Sequence, residues 1–415
     1  MNVVVIGAGI VGIAAARWLQ RDGHAVTVVD PAPPGTGASM GNAGCFSPSS
    51  IVPLSGPGTL RQVPGWLRDP AGPLALRWRY LPRAAPWLLR FVQAGRGDRV
   101  TAQATALARL LAPVHSSLHT LLHDAGAAEL ARRDGSLIVY RTEAGWRGGQ
   151  DGWALRRANG IEWKELDGGA LRALDPGLAP GLFRGVLLPG NGHAIDPHAM
   201  VRRLAEAFAR DGGRFLQAPA TGFETVGGRL RAVHTGAGPV TAGAAILAAG
   251  AHSGPLARQL GDRLPLETER GYHLTLRQPE VMPRLPTLHA EDRFVLTPMA
   301  AGLRLTGTVE LAGLKAPPDW RRARRLLPLA QALYPGLAPG GGADRTSVWM
   351  GHRPSMPDSL PVIGRSRLCP DVVYSLGHGH LGLTGAPFTG RLVAELVANR
   401  PPAIDLAPYA PARFA

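Results

Sequence analysis

Six residues, Gly7-Ala8-Gly9-Ile10-Val11-Gly12, limit the folds open to this chain more than any other stretch, because of their neighbours. Val3-Val4-Val5-Ile6 precedes them and reads as a strand buried on both faces, as in a parallel sheet. A helical pattern follows to about Arg21, stops at Asp22-Gly23, and gives way to a second strand over Ala25–Val29 that ends in Asp30. The spacing predicts a complete β-α-β unit. Gly7 would make the tight turn, Gly9 would let the backbone approach a pyrophosphate, and Gly12 would let helix pack closely on strand. The helix N-terminus, with Ala8, Ile10 and Val11 around it, would face the phosphate charge. Asp30, followed by Pro31, stands where an acid accepts hydrogen bonds from ribose hydroxyls. Such a unit holds NAD or FAD equally well.

Two further segments suit an extended cofactor. Ala38–Gly44 is a loop of small residues with one hydroxyl and one amide. Ser39, Asn42, Ala43 and Gly44 could hydrogen-bond a pyrophosphate and a flavin's polar edge, or could form an ordinary glycine-rich connection. Ala244–Ser253 reads as a buried strand that breaks at Gly250, as expected where backbone and cofactor come close. Ala249 and Gly250 are then contacts; a plain core strand is the equal alternative. The chain from Phe215 to Val240 reads as short strands and turns, with Pro219-Ala220 a candidate contact to adenine.

A second block lies far along the chain. Arg353-Pro354-Ser355-Met356-Pro357-Asp358 is followed by Gly377-His378-Gly379-His380-Leu381-Gly382-Leu383-Thr384, which opens a helix. Arg353 sits between apolar Trp349-Met350 and a proline-braced loop, so its side chain is expected to be oriented. A planar guanidinium grips a carboxylate through two parallel hydrogen bonds, which a lysine cannot do. His378 and His380 titrate near neutrality when unperturbed, so general-base, structural and backbone-only roles are all open to them.

Composition excludes more than it selects. With 415 residues, 18% charged and 45% hydrophobic, the chain has ample material for a large core. The net charge of +15 invites a nucleic-acid partner. Only Lys164 and Lys315 are lysines, however, and the arginines are scattered without zinc-finger spacing or aromatic RNA-binding motifs. No nucleic-acid partner is expected. Cys45 and Cys369 are too few for a disulfide framework or a metal site and suit a reducing compartment. The apolar run Val3–Ala16 lacks a basic leader and is interrupted by patterned glycines, so a cytoplasmic protein is expected.

Taken together, Gly7-x-Gly9-x-x-Gly12, Ser39-x-x-Asn42-Ala43-Gly44, Ala249-Gly250, Arg353-Pro354-x-x-Pro357-Asp358 and Gly377-His378-Gly379-x-Leu381-Gly382-x-Thr384 resemble the FAD-dependent amino-acid oxidoreductases. Within that superfamily of D-amino-acid oxidases and glycine oxidases, the chain looks like the D-amino-acid dehydrogenase branch. Gly135-Ser136-Leu137, Tyr140–Glu143 and Gly271-Tyr272 extend the resemblance, which covers residues 1 to about 396. It implies FAD, and no cysteine stands at Gly351–Arg353, where relatives with covalent flavin carry one. Non-covalent FAD is therefore expected. Two departures are visible: Pro31 stands where a basic residue is common, and His273 where the branch often has a small polar residue.

The resemblance implies oxidative deamination of a D-amino acid by hydride transfer from Cα to flavin N5, with electrons passed to an acceptor other than oxygen. A respiratory-chain quinone or a partner protein would serve. Arg353 matches the arginine that binds the substrate carboxylate, Tyr272 is a candidate second contact, through its hydroxyl to the carboxylate or by lining the pocket, and His273 lies beside it. Because strand neighbours alternate faces, only one of that pair should face the flavin. The Tyr272-His273 departure suggests cyclic substrates such as D-proline or 4-hydroxy-D-proline. The turn carrying His378, Gly379, His380, Leu381, Gly382 and Thr384 would present backbone N–H groups to the flavin. Alternatives are a glycine/sarcosine-type oxidase that makes peroxide and a non-catalytic electron-relay subunit.

Motifs at both ends predict an α/β protein with a discontinuous Rossmann-like FAD domain over 1–75, 185–265 and 345–415. Residues 76–184 and 266–344 would form a second, α+β substrate domain on an antiparallel sheet. Residues 66–91 mix Trp66, Trp78, Tyr80, Trp87 and Phe91 with Arg68, Arg77, Arg79, Arg83 and Arg90. That pattern suits an amphipathic packing segment or peripheral contact with a membrane.

Overall fold

Strand Asn2–Ile6, helix Ile10–Arg21 and strand Ala25–Asp30 form in the order that the glycine spacing predicts. The computed structural model describes residues 1–56, 63, 65, 72–337 and 343–415. In it these elements belong to a six-stranded sheet ordered Arg214–Gln217, Ala25–Asp30, Asn2–Ile6, Ala244–Leu247, Val372–Leu376, Val362–Arg365. The first five strands run parallel, and the last returns antiparallel. Val3 and Val5 pack with Ile13, Leu19, Met200 and Phe208 on one face; Val4 and Ile6 pack with Val233, Leu247 and Tyr374 on the other. Burial on both faces explains the unbroken apolar run, each such side chain stabilising the fold by roughly 1.5–3 kcal/mol.

Helix Gly382–Val397 crosses helix Ile10–Arg21 at Gly390, where an added Cβ would lie 2.7 Å from the Ala14 carbonyl carbon. That close crossing lets both helices begin on one cavity, with Ile10, Val11, Gly382 and Leu383 in its wall. Helix Pro197–Arg210 starts as expected, Asp196 capping it by accepting from Ala199 N at 2.9 Å. The stretch before strand Ala244–Leu247 is an antiparallel meander over Ala220–Val226, Arg229–Thr235 and Gly238–Thr241.

A second sheet runs Thr346–Ser355, Glu267–Leu276, Gly302–Leu311, Phe294–Met299, Thr287–His289, Ser136–Tyr140, Arg184–Leu188, Lys164–Leu166. Most seams are antiparallel, but Thr287–His289 runs parallel to Ser136–Tyr140, and Leu74–Leu76 parallel to Gly302–Leu311. Strand Glu267–Leu276 is longer than its Gly271–Leu276 apolar part suggests. Its first four residues read as polar, yet all ten are buried: Arg270 pairs with Glu310 on a neighbouring strand, and Glu267 accepts from the Tyr80 hydroxyl and Thr268 N. Thr346–Ser355 pairs along its full length with Glu267–Leu276, so pairing moves it to the second sheet although the chain after it belongs with the first.

Residues 66–71 lie outside the described residues. Further along the chain, helix Leu81–Ala94 turns Trp87, Leu88 and Phe91 toward the cavity and leaves Leu89 exposed. Among the described residues, no helix is long and apolar enough to cross a membrane.

Candidate active site

A cavity of about 1630 Å³ runs between the two sheets. It is larger than the roughly 300–1,000 Å³ of ordinary ligand sites. One end is lined by Gly7–Val11, Asp30, Pro31, Ser39, Asn42, Ala43, Ala220, Ala249 and Gly250. Gly7 has φ +114°, and a Cβ there would sit 2.4 Å from the Ala248 carbonyl oxygen. Gly12 would place a Cβ 1.9 Å from the Gly7 oxygen, so it serves helix packing and does not line the cavity. A Cβ on Gly9 would meet nothing nearer than Ser39 Oγ at 3.4 Å, which leaves the backbone open to a ligand. Asp30 accepts from Ala8 N at 2.8 Å and from Ala32 N at 2.9 Å. Its oxygens keep further lone pairs for a ribose.

The 39–44 loop is fastened from both sides. Ile10 N donates to Ser39 Oγ at 3.0 Å, which frees the hydroxyl proton for a ligand oxygen. Asn42 folds back to accept from Gly44 N at 2.7 Å, and Gly44, at φ +79°, lies outside the cavity lining. Arg304 donates to Asn42 O at 2.7 Å and Thr297 to Ala43 O at 2.8 Å. Arg304 was not singled out by the sequence; burial lowers its guanidinium to about 10.

At the distal turn, Gly377 (φ +78°) and Gly379 (φ +54°) reverse the chain into the helix. His378, Gly379, His380, Leu381, Gly382 and Thr384 all line the cavity. The His378 ring is buried against Thr389 Oγ1 at 3.1 Å, and burial lowers it to about 4. That is a neutral structural side chain at physiological pH. His380 is different: its ring is exposed in the cavity lining, where surrounding protein and the neighbouring Arg353 charge lower its pKa. Thr384 Oγ1 accepts from Ser47 N and donates to Cys45 O, tying the turn to the loop after Gly44.

The other end is built by side chains. Arg353 lies opposite Glu269 in the paired strands, and Gly351 opposite Gly271. Opposed residues share a face. The Arg353 guanidinium lies flat over Gly271, where a Cβ would be 2.4 Å from Cζ, and donates to Thr308 O at 3.3 Å. Burial lowers its pKa and the nearby Glu269 charge opposes that. His273 is on the same face, where it is 5.2 Å from the stacked Trp349 ring with Nδ1 3.0 Å from Gly41 O. It braces the loop at Gly41 and is not in the cavity lining.

Tyr272 lines the cavity as well, but its hydroxyl does not join Arg353. Strand alternation turns it to the opposite face, where its hydroxyl donates to Glu310 Oε2 at 2.6 Å and accepts from Asp319 N at 3.1 Å. Arg270 shares that buried carboxylate at 3.3 Å. The pairing of Tyr272 with a strand 38 residues away fixes its hydroxyl, and nothing local signals it. Two wall residues also went unflagged. Trp349 covers Gly351 and Gly41, whose added Cβ atoms would fall 1.9 and 2.1 Å from its ring. Glu269 is 6% exposed, faces Arg353, and has its carboxyl raised by burial.

The model for the family described as FAD dependent oxidoreductase matches residues 2–396. The chain belongs to that family. A D-amino-acid oxidase from Bradyrhizobium diazoefficiens is 43% identical over 100% of this chain and 99% of that protein. A D-amino acid dehydrogenase 2 from Ralstonia nicotianae is 35% identical over the full length of both. Among solved structures, glycine oxidase from Geobacillus kaustophilus superposes with TM-score 0.76 at 20% identity, covering 98% of this chain and 97% of that one. The family oxidoreductase is thus an FAD-dependent enzyme acting on amino acids. The residues present fit FAD: the open Gly9 backbone, the free Ser39 proton and Asp30 suit the adenosine diphosphate. The turn 378–384 lines the same cavity and leaves room there for the rest of the cofactor.

Proposed function

We propose that this FAD-dependent oxidoreductase oxidises D-amino acids, holding FAD non-covalently and passing electrons to an acceptor other than oxygen. Relatives named for D-amino acids support the substrate class, and those named dehydrogenase support the acceptor. When bound, the flavin supplies a two-electron acceptor for hydride leaving Cα. The protein's residues do the rest. Arg353 carries the reading: it is a half-buried cation on the cavity wall whose hydrogen bond, among the described residues, goes only to a carbonyl. Its fork is left to bind a substrate carboxylate. Trp349 closes one side, and the helix start at Gly382 places positive dipole charge at the flavin end.

Holoprotein mixed without oxygen with a panel of D- and L-amino acids, D-proline and 4-hydroxy-D-proline included, should bleach with D-forms and not with L-forms. Arg353→Ala should keep its yellow colour and lose about 2–5 kcal/mol of substrate interaction; unchanged KM and kcat would overturn the assignment. The relative named D-amino-acid oxidase favours a second reading, in which air reoxidises the bleached enzyme with release of peroxide. A peroxide assay on admitting air decides between them. A cytoplasmic enzyme touching the membrane's inner face through exposed Trp78, Leu89, Arg79, Arg83 and Arg90 belongs to the first reading. Cosedimentation with anionic vesicles that weakens with salt tests that contact.

A further inference from the structure

The cavity wall beside Arg353 contains a carboxylate that binding of FAD and of a substrate carboxylate does not use. Glu269 lies directly across the antiparallel pair from Arg353. Opposed Cβ atoms in such pairs are about 4.5–5.5 Å apart, close enough for one small molecule to touch both side chains. Both residues line the cavity, and the next pair on that face is Gly271 with Gly351. The missing Cβ atoms make room for the Arg353 guanidinium over Gly271 and the Trp349 ring over Gly351, which set the cation beside the carboxylate on the wall. A cation and an anion side by side match the two charges of an amino-acid zwitterion.

We propose that Glu269 is the ammonium subsite of this enzyme and takes the proton that the substrate amine must lose before hydride departs. The inference rests on Arg353 binding the substrate carboxylate. The step balances: R–NH3⁺ and Glu269 carboxylate become R–NH2 and the neutral acid, and no net charge is created in the buried site. FAD, the family's cofactor, takes the electron pair, and Glu269 returns its proton to water as product leaves.

The surroundings of Glu269 support the role. Burial raises its carboxyl, while Arg353 and Ser355 pull it down and Glu267, two residues back on the same face, pushes it up. Glu267 is occupied: the Tyr80 hydroxyl lies 3.0 Å from both its oxygens, and Thr268 N donates to it at 2.7 Å. On the other flanking strand Glu269 faces apolar Leu311. His380, exposed in the cavity lining, also lies near Arg353, whose charge lowers its pKa. A carboxyl lifted toward neutrality is a better proton acceptor at pH 7 than an ordinary one.

The test compares a D-amino acid with the same acid lacking its amine: D-alanine with propionate, or D-proline with cyclopentanecarboxylate, whichever amino acid bleaches the holoenzyme. Glu269→Gln should retain FAD and bind the plain carboxylate, titrated calorimetrically, as well as or better than the parent. Its Kd for the D-amino acid, from the concentration dependence of anaerobic bleaching, should rise on the order of 10- to 100-fold. Its bleaching rate should climb with pH toward the free amine's pKa, whereas the parent levels off earlier. Equal weakening of both probes would mean that Glu269 only positions Arg353, and an unchanged pH profile would mean that it takes no proton; either overturns the proposal. If Glu269→Gln loses FAD, Glu269→Asp, which keeps the charge one methylene back, is expected to show the same selective weakening. Failure of the parent to bleach with any D-amino acid would instead refute the D-amino-acid reading.

Discussion

The two ends of the cavity differ in what does the recognising. At the nucleotide end the backbone does it: Gly7, Gly9 and Gly12 are there for the space a Cβ would fill, and Asp30 spends two lone pairs holding the turn itself. At the proposed substrate end side chains would do it, brought together by strands Glu267–Leu276 and Thr346–Ser355, which lie 70 residues or more apart in sequence. Backbone recognition is rigid and tolerates almost no substitution. Side-chain recognition rests on a shared floor and can be retuned without disturbing the fold.

The largest effect that could break this contrast is Gly12→Ala. Its Cβ would meet backbone at 1.9 Å, which cannot move aside as a side chain can. We expect a loss of about 3 kcal/mol or more in stability, with FAD binding abolished. A variant that melts like the parent and stays yellow would show that the nucleotide end is as adaptable as the other.

Acid titration probes the histidines packed around the cavity. His378 on the distal turn and His273 beneath the loop at Gly41 are each lowered by burial from 6.5 to about 4. Between those values the unfolded chain binds protons that the folded chain does not. Their contribution is therefore full above about pH 6.5 and is lost as pH falls toward 4. Each unit of depression weighs about 1.4 kcal/mol. Glu267 and Glu269, raised by burial, act with the opposite sign. The variants His378→Gln and His273→Gln isolate the histidines: each should flatten the fall in Tm between pH 7 and 5. An unflattened curve in either would mean that its ring is not held neutral.

Gly271→Ala should do at the substrate end what Gly12→Ala cannot do at the other. Gly271 is not in the left-handed region, and the three atoms nearest its added Cβ all belong to the movable Arg353 guanidinium. Stability should change by less than about 1 kcal/mol and FAD should remain. KM for the substrate should rise roughly tenfold as Arg353 is pushed off the floor, the equivalent of ~1.4 kcal/mol. Loss of FAD instead would tie the two ends together.

What could be read from the sequence shows the same division. The fingerprint, Asp30, the break at Gly250 and the turn at 377–379 were legible because a backbone constraint leaves glycine, or a strand-end acid, as its local mark. Arg353 was legible only through its motif. Glu269, Trp349 and Arg304 were not, because each acquires meaning from a partner on another strand or loop: Arg353, Gly41 and Asn42. Tyr272 divides the same way: it lines the cavity, while Glu310 and Asp319, set by sheet register, engage its hydroxyl. The distal histidines drew the eye as titratable groups, yet His378 is buried and held neutral, and only His380 is exposed in the cavity lining.

The smallest expected effect lies where the two ends meet. Cys45 lines the cavity just after the 39–44 loop, with Sγ 3.8 Å from Ala43 O and 3.8 Å from Thr297 Oγ1. Burial raises its thiol to about 11, against the weaker pull of Thr297. At pH 8 almost none is thiolate, so iodoacetamide should label it far more slowly than an ordinary exposed cysteine. Serine fits the space and keeps a hydrogen-bonding group toward Thr297. Cys45→Ser should therefore stay within about 1 kcal/mol of the parent, retain FAD and bleach at the parental rate. Fast labelling, or a yellow variant that no longer bleaches, would place chemistry at the junction itself, and a division into a backbone end and a side-chain end would no longer describe the site.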